Sequence, residues 1–166
     1  PFGSEGTIAA LHEAKKQGLI RFIGVSGHVY PARFKKVLER DDIDVIMNTV
    51  NFVEKHIYDF ETKVFEPARK KNIGLIAMKV IGGPANWREG TPRLIGEDYD
   101  AAIRYGMGLP GVASMNIGVR SIEELEQGIH AVAAYKPFSN EESIQIEERG
   151  KQLAQEWGAV YGTPVA

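Results

Sequence analysis

The chain has 166 residues, a formal net charge of −2, and a composition that is 43% hydrophobic and 25% charged. This balance is typical of a folded globular domain and excludes a disordered segment. The small net charge argues against a nucleic-acid partner and against binding to an anionic membrane surface.

The sequence contains no cysteine, which excludes disulfides and cysteine-based zinc sites and agrees with a reducing, cytoplasmic location. No apolar run approaches the roughly 20 residues of a membrane span, so we expect no membrane partner. Because the first residue is Pro1 and not Met, we expect the natural amino terminus and any targeting signal to lie upstream. The length suits one domain, and we treat residues 1–166 as such.

The first elements alternate between helix and strand. Apolar residues at helical spacing predict a helix over 7–17, with Gly18 as its stop. A strand over 20–25 follows, and Pro31 opens the next helix. A second strand is predicted over 43–50. The apolar residues expected to be buried by the helix between them are Phe34, Val37 and Leu38.

The centre of the chain is the stretch on which the fold prediction depends. A helix over 59–71 contains Pro67, which predicts a kink or a break. The short apolar run over 73–81 is then typical of a strand buried on both faces, as in a parallel sheet. Lys79 lies near its end, and the glycines at 82 and 83 leave the backbone open to a ligand.

The remainder continues the same alternation. Residues 84–96 form an irregular stretch long enough to act as a lid. A helix over 98–107 leads to a fourth strand over 112–117. Two capping boxes then predict helices that begin after Ser121 and Ser139. The first is expected to bury Ile122, Leu125, Ile129 and Val132, and the second carries Ile146, Leu153 and Trp157.

This order indicates an α/β protein of parallel (βα) units. Four strands are half of a TIM-type (βα)8 barrel, whose usual size is about 250 residues, and a further helix closes the chain. We therefore predict half of such a barrel. An open four-stranded sheet would leave edge hydrogen bonds without partners, so self-association through the sheet edges is a second expectation.

Parallel strands bring their carboxyl ends to one rim, where barrels place their chemistry. The third predicted strand is followed by Gly82 and Gly83. The fourth is followed by the sequence Gly118-Val119-Arg120-Ser121. An arginine beside unpaired amide donors at a helix start can hold an anion such as a phosphate. The alternative is a capped helix with a solvated arginine.

The residues at this rim allow two further interpretations, a metal site and a Schiff-base lysine. His28, Glu54 and His56 match no metal-ligand spacing, and we predict no metal site. A buried lysine has a lowered pKa and can form a Schiff base with a carbonyl compound, which makes Lys79 a candidate lyase nucleophile.

Three stretches carry a family resemblance. GLIRFIGVSG at 18–27 resembles the fifth helix-to-strand passage of aldo/keto reductases, GLIAMKVIGG at 74–83 resembles their seventh strand, and IGVRSIEELE at 117–126 resembles the turn and helix after their eighth. The resemblance runs in order from about Gly3 to Tyr135. It looks like a bacterial subgroup, and it implies the carboxyl-terminal half of a TIM-type (βα)8 barrel, strands five to eight, and hydride transfer between NAD(P)H and a carbonyl or alcohol.

The resemblance also implies eight cofactor-binding residues. They are Ser26 at the nicotinamide carboxamide, Met78 on the nicotinamide face, Lys79, Ile81 and Gly82 along the pyrophosphate, and Gly118, Arg120 and Ser121 around the adenosine phosphate.

Four positions depart from the family pattern. Gly27 stands where many members have Asn, Met47 where a Gln often holds the carboxamide, and Gly128 where an Asn contacts adenine. Glu124 occupies a position where NADP-preferring members often carry Arg. The resemblance implies NADP, while a carboxylate at 124 leaves NAD open through its affinity for ribose hydroxyls.

The family's catalytic Tyr, Asp, Lys and His lie on strands two to four, which are expected to precede Pro1, so we assign no catalytic residue here. The first hypothesis is a fragment of an NAD(P)H-dependent aldo/keto reductase that carries the cofactor side and acts on a small carbonyl substrate. The alternatives are a non-catalytic half-barrel scaffold that self-associates and the Schiff-base lyase built on Lys79.

Overall fold

The protein was analysed as a computed structural model, which describes residues 6–83 and 92–163. Helices and strands alternate along these residues, as the sequence predicts. The strands are β1 (Gly24–Gly27), β2 (Val45–Thr49), β3 (Gly74–Met78) and β4 (Val112–Asn116). The helices are α1 (Thr7–Lys16), α2 (Phe34–Leu38), α3 (Glu66–Lys70), α4 (Glu97–Gly108), α5 (Ile122–Ala133) and α6 (Asn140–Trp157).

The four strands form one parallel sheet in the order β1-β2-β3-β4. Each strand therefore pairs with the next one along the chain, and a helical segment makes each crossover. The predicted fold is confirmed: parallel (βα) units form four strands of a TIM-type barrel, followed by a terminal helix.

The two faces of the sheet differ in burial. Ile46, Leu75 and Ala77 are fully buried against the helices on one face. On the other face, Ser26 pairs with Met47 and Met47 pairs with Ile76, and these three residues remain exposed or half-buried. The hydrophobic core therefore lies between the sheet and its helices, and the face that would be the interior of a closed barrel is open.

All four strands differ in their bounds from the prediction, β2 and β4 by one or two residues at an end and β1 and β3 by more. The predicted strand over 20–25 begins only at Gly24, where its ladder with Val45 of β2 starts, and it continues to Gly27. The predicted strand over 73–81 ends at Met78. Lys79 adopts a left-handed backbone conformation with φ of 57°, which no strand can continue.

The helix predicted over 59–71 is interrupted, as Pro67 indicates. Residues Glu61–Phe65 form a π-helical turn, and Pro67 then lies in the first turn of α3, where a missing amide donor is tolerated. The predicted burial of Phe34 and Val37 in α2 is confirmed.

The apolar face of α5 contradicts the prediction. Ile122 is 70% exposed and Ile129 is 57% exposed, and Leu125 and Val132 are also exposed. The amphipathic pattern is present, but no described element covers this face. The helix follows the edge strand β4, where the sheet has no further neighbour.

Helix α6 crosses the carboxyl ends of β2 and β3. Its Gly150 lies so close to the loop after β2 that an added Cβ would stand 2.2 Å from the carbonyl oxygen of Phe52. Trp157 reaches the loop after β3, near Gly82. The capping box predicted at Ser139 and Glu142 opens this helix.

Candidate functional site

A cavity of about 320 Å³ opens at the carboxyl ends of β3 and β4. Among its described lining residues are three cationic side chains, a histidine and no carboxylate. The lining consists of His28, Met78, Lys79, Val80, Ile81, Gly82, Arg93, Asn116, Gly118, Val119 and Arg120. A volume of this size holds part of a cofactor, and the concentration of positive charge favours an anionic group.

The backbone of Lys79 is fixed from several sides. Its carbonyl oxygen accepts hydrogen bonds from the side-chain amide of Asn51 at 2.9 Å and from the backbone amide of Gly82 at 2.8 Å. One residue earlier, the carbonyl of Met78 accepts from the amide of Val50. These contacts hold a non-glycine residue in a conformation that is unfavourable by roughly 1–2 kcal/mol.

His28, which follows β1, and Lys79, which follows β3, interact electrostatically. Burial lowers the pKa of Lys79 from its ordinary value. Burial also lowers the pKa of His28, and the positive charge of Lys79 lowers it further. Lys79 and His28 therefore share one rim, and a bound anion would favour the protonated form of His28. The lowered pKa of Lys79 is also what a Schiff-base lysine requires, so that alternative stays a prediction.

Gly82 is required by packing as well as by conformation. Its φ is 84°, and an added Cβ would stand 2.7 Å from the carbonyl oxygen of Pro92. Gly82 also pairs with Arg93 in an isolated antiparallel bridge. Both Gly82 and Gly83 are buried, so the backbone that the sequence predicts to be open is largely covered by residues 92–93.

Glu124 joins two arginines at the β4 end of the cavity. Its carboxylate accepts hydrogen bonds from the Arg93 guanidinium at 2.8 Å and from the Arg120 guanidinium at 2.8 Å. The Arg120 backbone amide also donates to it at 2.8 Å. The hydrogen bond from Arg120 is the main reason that the pKa of Glu124 is lowered. The predicted capping box is thus only half formed, because Ser121 accepts from the Glu124 amide while the Glu124 carboxylate bonds to Arg120.

Six of the eight predicted cofactor-binding residues line this one cavity. They are Met78, Lys79, Ile81, Gly82, Gly118 and Arg120. Ser26 is not in the lining, although it lies on the same face of the sheet as Met78 and two residues before His28. Ser121 is likewise outside the lining and acts as the amino-terminal cap of α5.

Several other predicted residues have different surroundings. Glu54 is buried beneath α6, and His56 lies 3.8 Å from the Glu147 carboxylate on that helix, whereas His28 lines the cavity. Of the predicted lid, residues 84–91, with Trp87 and Arg88, lie outside the described residues.

The sequence reasoning missed the role of Arg93, which it placed only in the lid. Its side chain is 7% exposed, and its guanidinium donates to the Gly118 carbonyl at 3.1 Å as well as to Glu124. No local signal marks it, because the bridge to Gly82 is a tertiary contact. Asn51 was likewise given no role, although an asparagine directly after a predicted strand can signal a cap.

The fold and the cavity together define a βα-barrel protein with a cationic site at the carboxyl ends of its strands. Residues 2–92, more than half of the chain, match a family model described as "Aldo/keto reductase family". The chain therefore belongs to the aldo/keto reductase family. No curated protein is similar enough to the sequence to count as a match.

Solved structures agree with this assignment at the level of the fold. The holo form of aldo-keto reductase AKR11C1 from Bacillus halodurans superposes with a TM-score of 0.64 at 22% identity, covering 86% of this chain and 54% of that one. The apo form gives the same TM-score and identity, with 55% of its length covered. The chain thus spans about half the length of these structures. Within the described ranges, no helix has the length and apolar composition needed to cross a bilayer.

Proposed function

We propose that this chain forms the cofactor-binding side of an NAD(P)H-dependent aldo/keto reductase. The observation that carries the proposal is the cavity at the strand ends, which six of the eight predicted residues line, Lys79 and Arg120 among them, together with Arg93. A nicotinamide dinucleotide has a pyrophosphate at its centre, and clustered cations suit such a group. When bound, the nicotinamide supplies the hydride that is exchanged with a small carbonyl or alcohol substrate.

Different residues of this chain would bind different parts of the cofactor. The Lys79 side chain would hold the pyrophosphate, with Ile81 and Gly82 beside it in the wall of the cavity. Met78 shares its register position with Asn116 of β4, and both line the cavity. Its apolar, polarizable side chain would pack against the nicotinamide face. Ser26, on the same face of the sheet, would reach the carboxamide.

Arg120, Gly118 and Ser121 would surround the adenosine end. NADP is the cofactor that the family favours, but Glu124 occupies the Arg120 guanidinium, and a 2′-phosphate would have to compete with that carboxylate. Ribose hydroxyls of NAD could instead donate to Glu124. No residue of this chain is proposed as the catalytic proton donor. A cytoplasmic location stays a prediction.

Fluorescence titration tests the proposal, because Trp157 lies beside Gly82 and can report on the cavity. We expect NADPH or NADH to quench the emission in a saturable manner. Lys79→Gln should weaken binding by roughly ten- to a hundredfold, since a charge-assisted hydrogen bond contributes about 1.5–3 kcal/mol. Lys71→Gln is the matched control, because Lys71 bonds to Asp41 near the amino ends of β3 and β2, away from the cavity, and its replacement should leave binding unchanged. Equal effects of the two substitutions would contradict the proposal.

A second candidate function is a self-associating half-barrel without chemistry. The exposed apolar face of α5 favours it, together with Leu19 and Phe22, which are exposed beside the other edge strand. A second copy of the chain is the occupant that this reading requires. Saturable dinucleotide binding by a monomer would exclude it.

A further inference from the structure

Two buried asparagines at the end of β2 reach the ends of the neighbouring strands. Asn48 donates its side-chain amide to the carbonyl of Gly27 at 2.9 Å, next to His28. Asn51 donates to the carbonyl of Lys79 at 2.9 Å. Neither asparagine has measurable exposure, so neither can contact a ligand from solvent. Their role must be exerted through the residues that they hold.

Asn51 uses both ends of its side chain. Its oxygen accepts from the backbone amides of Val53 at 2.9 Å and Glu54 at 2.8 Å, which fixes the turn that follows β2. Its amide nitrogen is thereby oriented toward Lys79. The turn itself is packed under α6, where Lys55 pairs with Glu147 at 2.9 Å. The Asn51 side-chain amide that donates to Lys79 is therefore held in place by a buried, hydrogen-bonded turn.

Lys79 is the residue that needs such support. It is one of three described non-glycine residues with a positive φ, the others being Asp59 and Asn72. Asparagine and aspartate are enriched in the left-handed conformation, whereas lysine is not. The same conformation ends β3 and places the Lys79 side chain in the lining of the cavity.

We propose that Asn51 is a positioning residue for the cationic rim: its side-chain amide holds the Lys79 backbone in the left-handed conformation that sets the ammonium group beside His28 and over the cavity. The inference rests on the proposed function only in taking the ligand of this rim to be an anion. The hydrogen bond, the strained φ and the buried support stand without it.

The test compares Asn51→Ser with Val53→Ala. Serine can still accept from the amides of the turn, but its shorter side chain cannot donate to the Lys79 carbonyl. Val53→Ala removes buried volume from the same turn and leaves the Asn51 hydrogen bond in place. Reductive ¹³C-methylation of lysines, assigned with Lys79→Arg, gives the pKa of Lys79 by NMR. Calorimetric titration with inorganic pyrophosphate gives the affinity.

We expect Asn51→Ser to raise the pKa of Lys79 toward its ordinary value and to weaken pyrophosphate binding by about tenfold. Val53→Ala should reduce thermal stability and leave both quantities unchanged. A pKa of Lys79 that is the same in Asn51→Ser and in the wild type would overturn the proposal. If the wild type binds neither pyrophosphate nor a dinucleotide, the proposed function fails, and the pKa comparison still decides the role of Asn51.

A second variant covers the case in which Asn51→Ser does not fold. Glycine adopts a positive φ without strain, so adding Lys79→Gly to Asn51→Ser should restore a cooperative melting transition. Failure of the double variant to recover would show that Asn51 does not act through Lys79.

Discussion

Replacement of Glu54 by glutamine should make the free energy of unfolding less sensitive to rising pH. The Glu54 residue is 1% exposed, and neither carboxylate oxygen has a hydrogen-bond partner among the described residues. Burial raises the pKa of this carboxyl to about 8 from an ordinary value of 4.5. Between these two values the unfolded chain loses the proton while the folded protein keeps it. Stability therefore falls as the pH rises through this window.

The size of the effect follows from the displacement of the pKa. At 1.36 kcal/mol per pKa unit, the wild type should lose about 3 kcal/mol of unfolding free energy between pH 5 and pH 8 through this group. A neutral glutamine has no proton to lose, so Glu54→Gln should lack that loss. Any fixed cost of burying the amide is the same at each pH and cancels in the comparison.

Urea denaturation at pH 5, 6, 7 and 8 measures the difference. We expect the free energy of unfolding of Glu54→Gln relative to the wild type to rise across the series. Glu66→Gln is the matched control, because Glu66 is an exposed glutamate of α3. Parallel stability curves for the wild type and Glu54→Gln would refute the reasoning, since they would mean that the Glu54 carboxyl ionises alike in the folded and unfolded states.

Three further predictions concern the cavity and its surroundings. Gly82→Ala should cost about 1–3 kcal/mol of unfolding free energy, and more than Gly18→Ala, because both have a positive φ but only Gly82 faces a close contact; equal losses by thermal denaturation would contradict the packing argument. Glu124→Gln should weaken the hold on Arg120 and shift the NADPH-to-NADH affinity ratio toward NADPH by roughly tenfold in fluorescence titrations; an unchanged ratio would separate Glu124 from cofactor choice. Ile129→Glu should abolish any concentration-dependent association of the chain in size-exclusion chromatography, and retained association would place the contact elsewhere than α5.

The strands and helices were predictable because periodicity and length are properties of short stretches. Their alternation along the chain then predicts parallel strands in sequential order. The apolar run that became β3 carries that information within itself. The exposed face of α5 was not predictable in the same way. A pattern such as that of Ile122 and Ile129 shows that a face is apolar, but not that its partner lies within the same 166 residues.

The details of the site depend on tertiary contacts that no local pattern records. A lysine gives no signal for a left-handed backbone, so the end of β3 at Lys79 emerges only once Asn51 is placed beside it. The charge of Glu54 predicts an exposed residue at the rim. It is nevertheless buried, because α6, which lies far along the chain, packs over the turn that contains it. Arg93 joins the cavity through its bridge to Gly82 and its contact with Glu124.

The binding of a nicotinamide dinucleotide at the carboxyl ends of β3 and β4 is the central claim, and chemical-shift mapping tests it most directly. In a ¹⁵N-labelled chain titrated with NADPH, the largest amide shifts should fall on residues 79–82 and 118–120. Absence of shifts at saturating NADPH, or shifts confined to the groove between α4 and α5, would contradict the account.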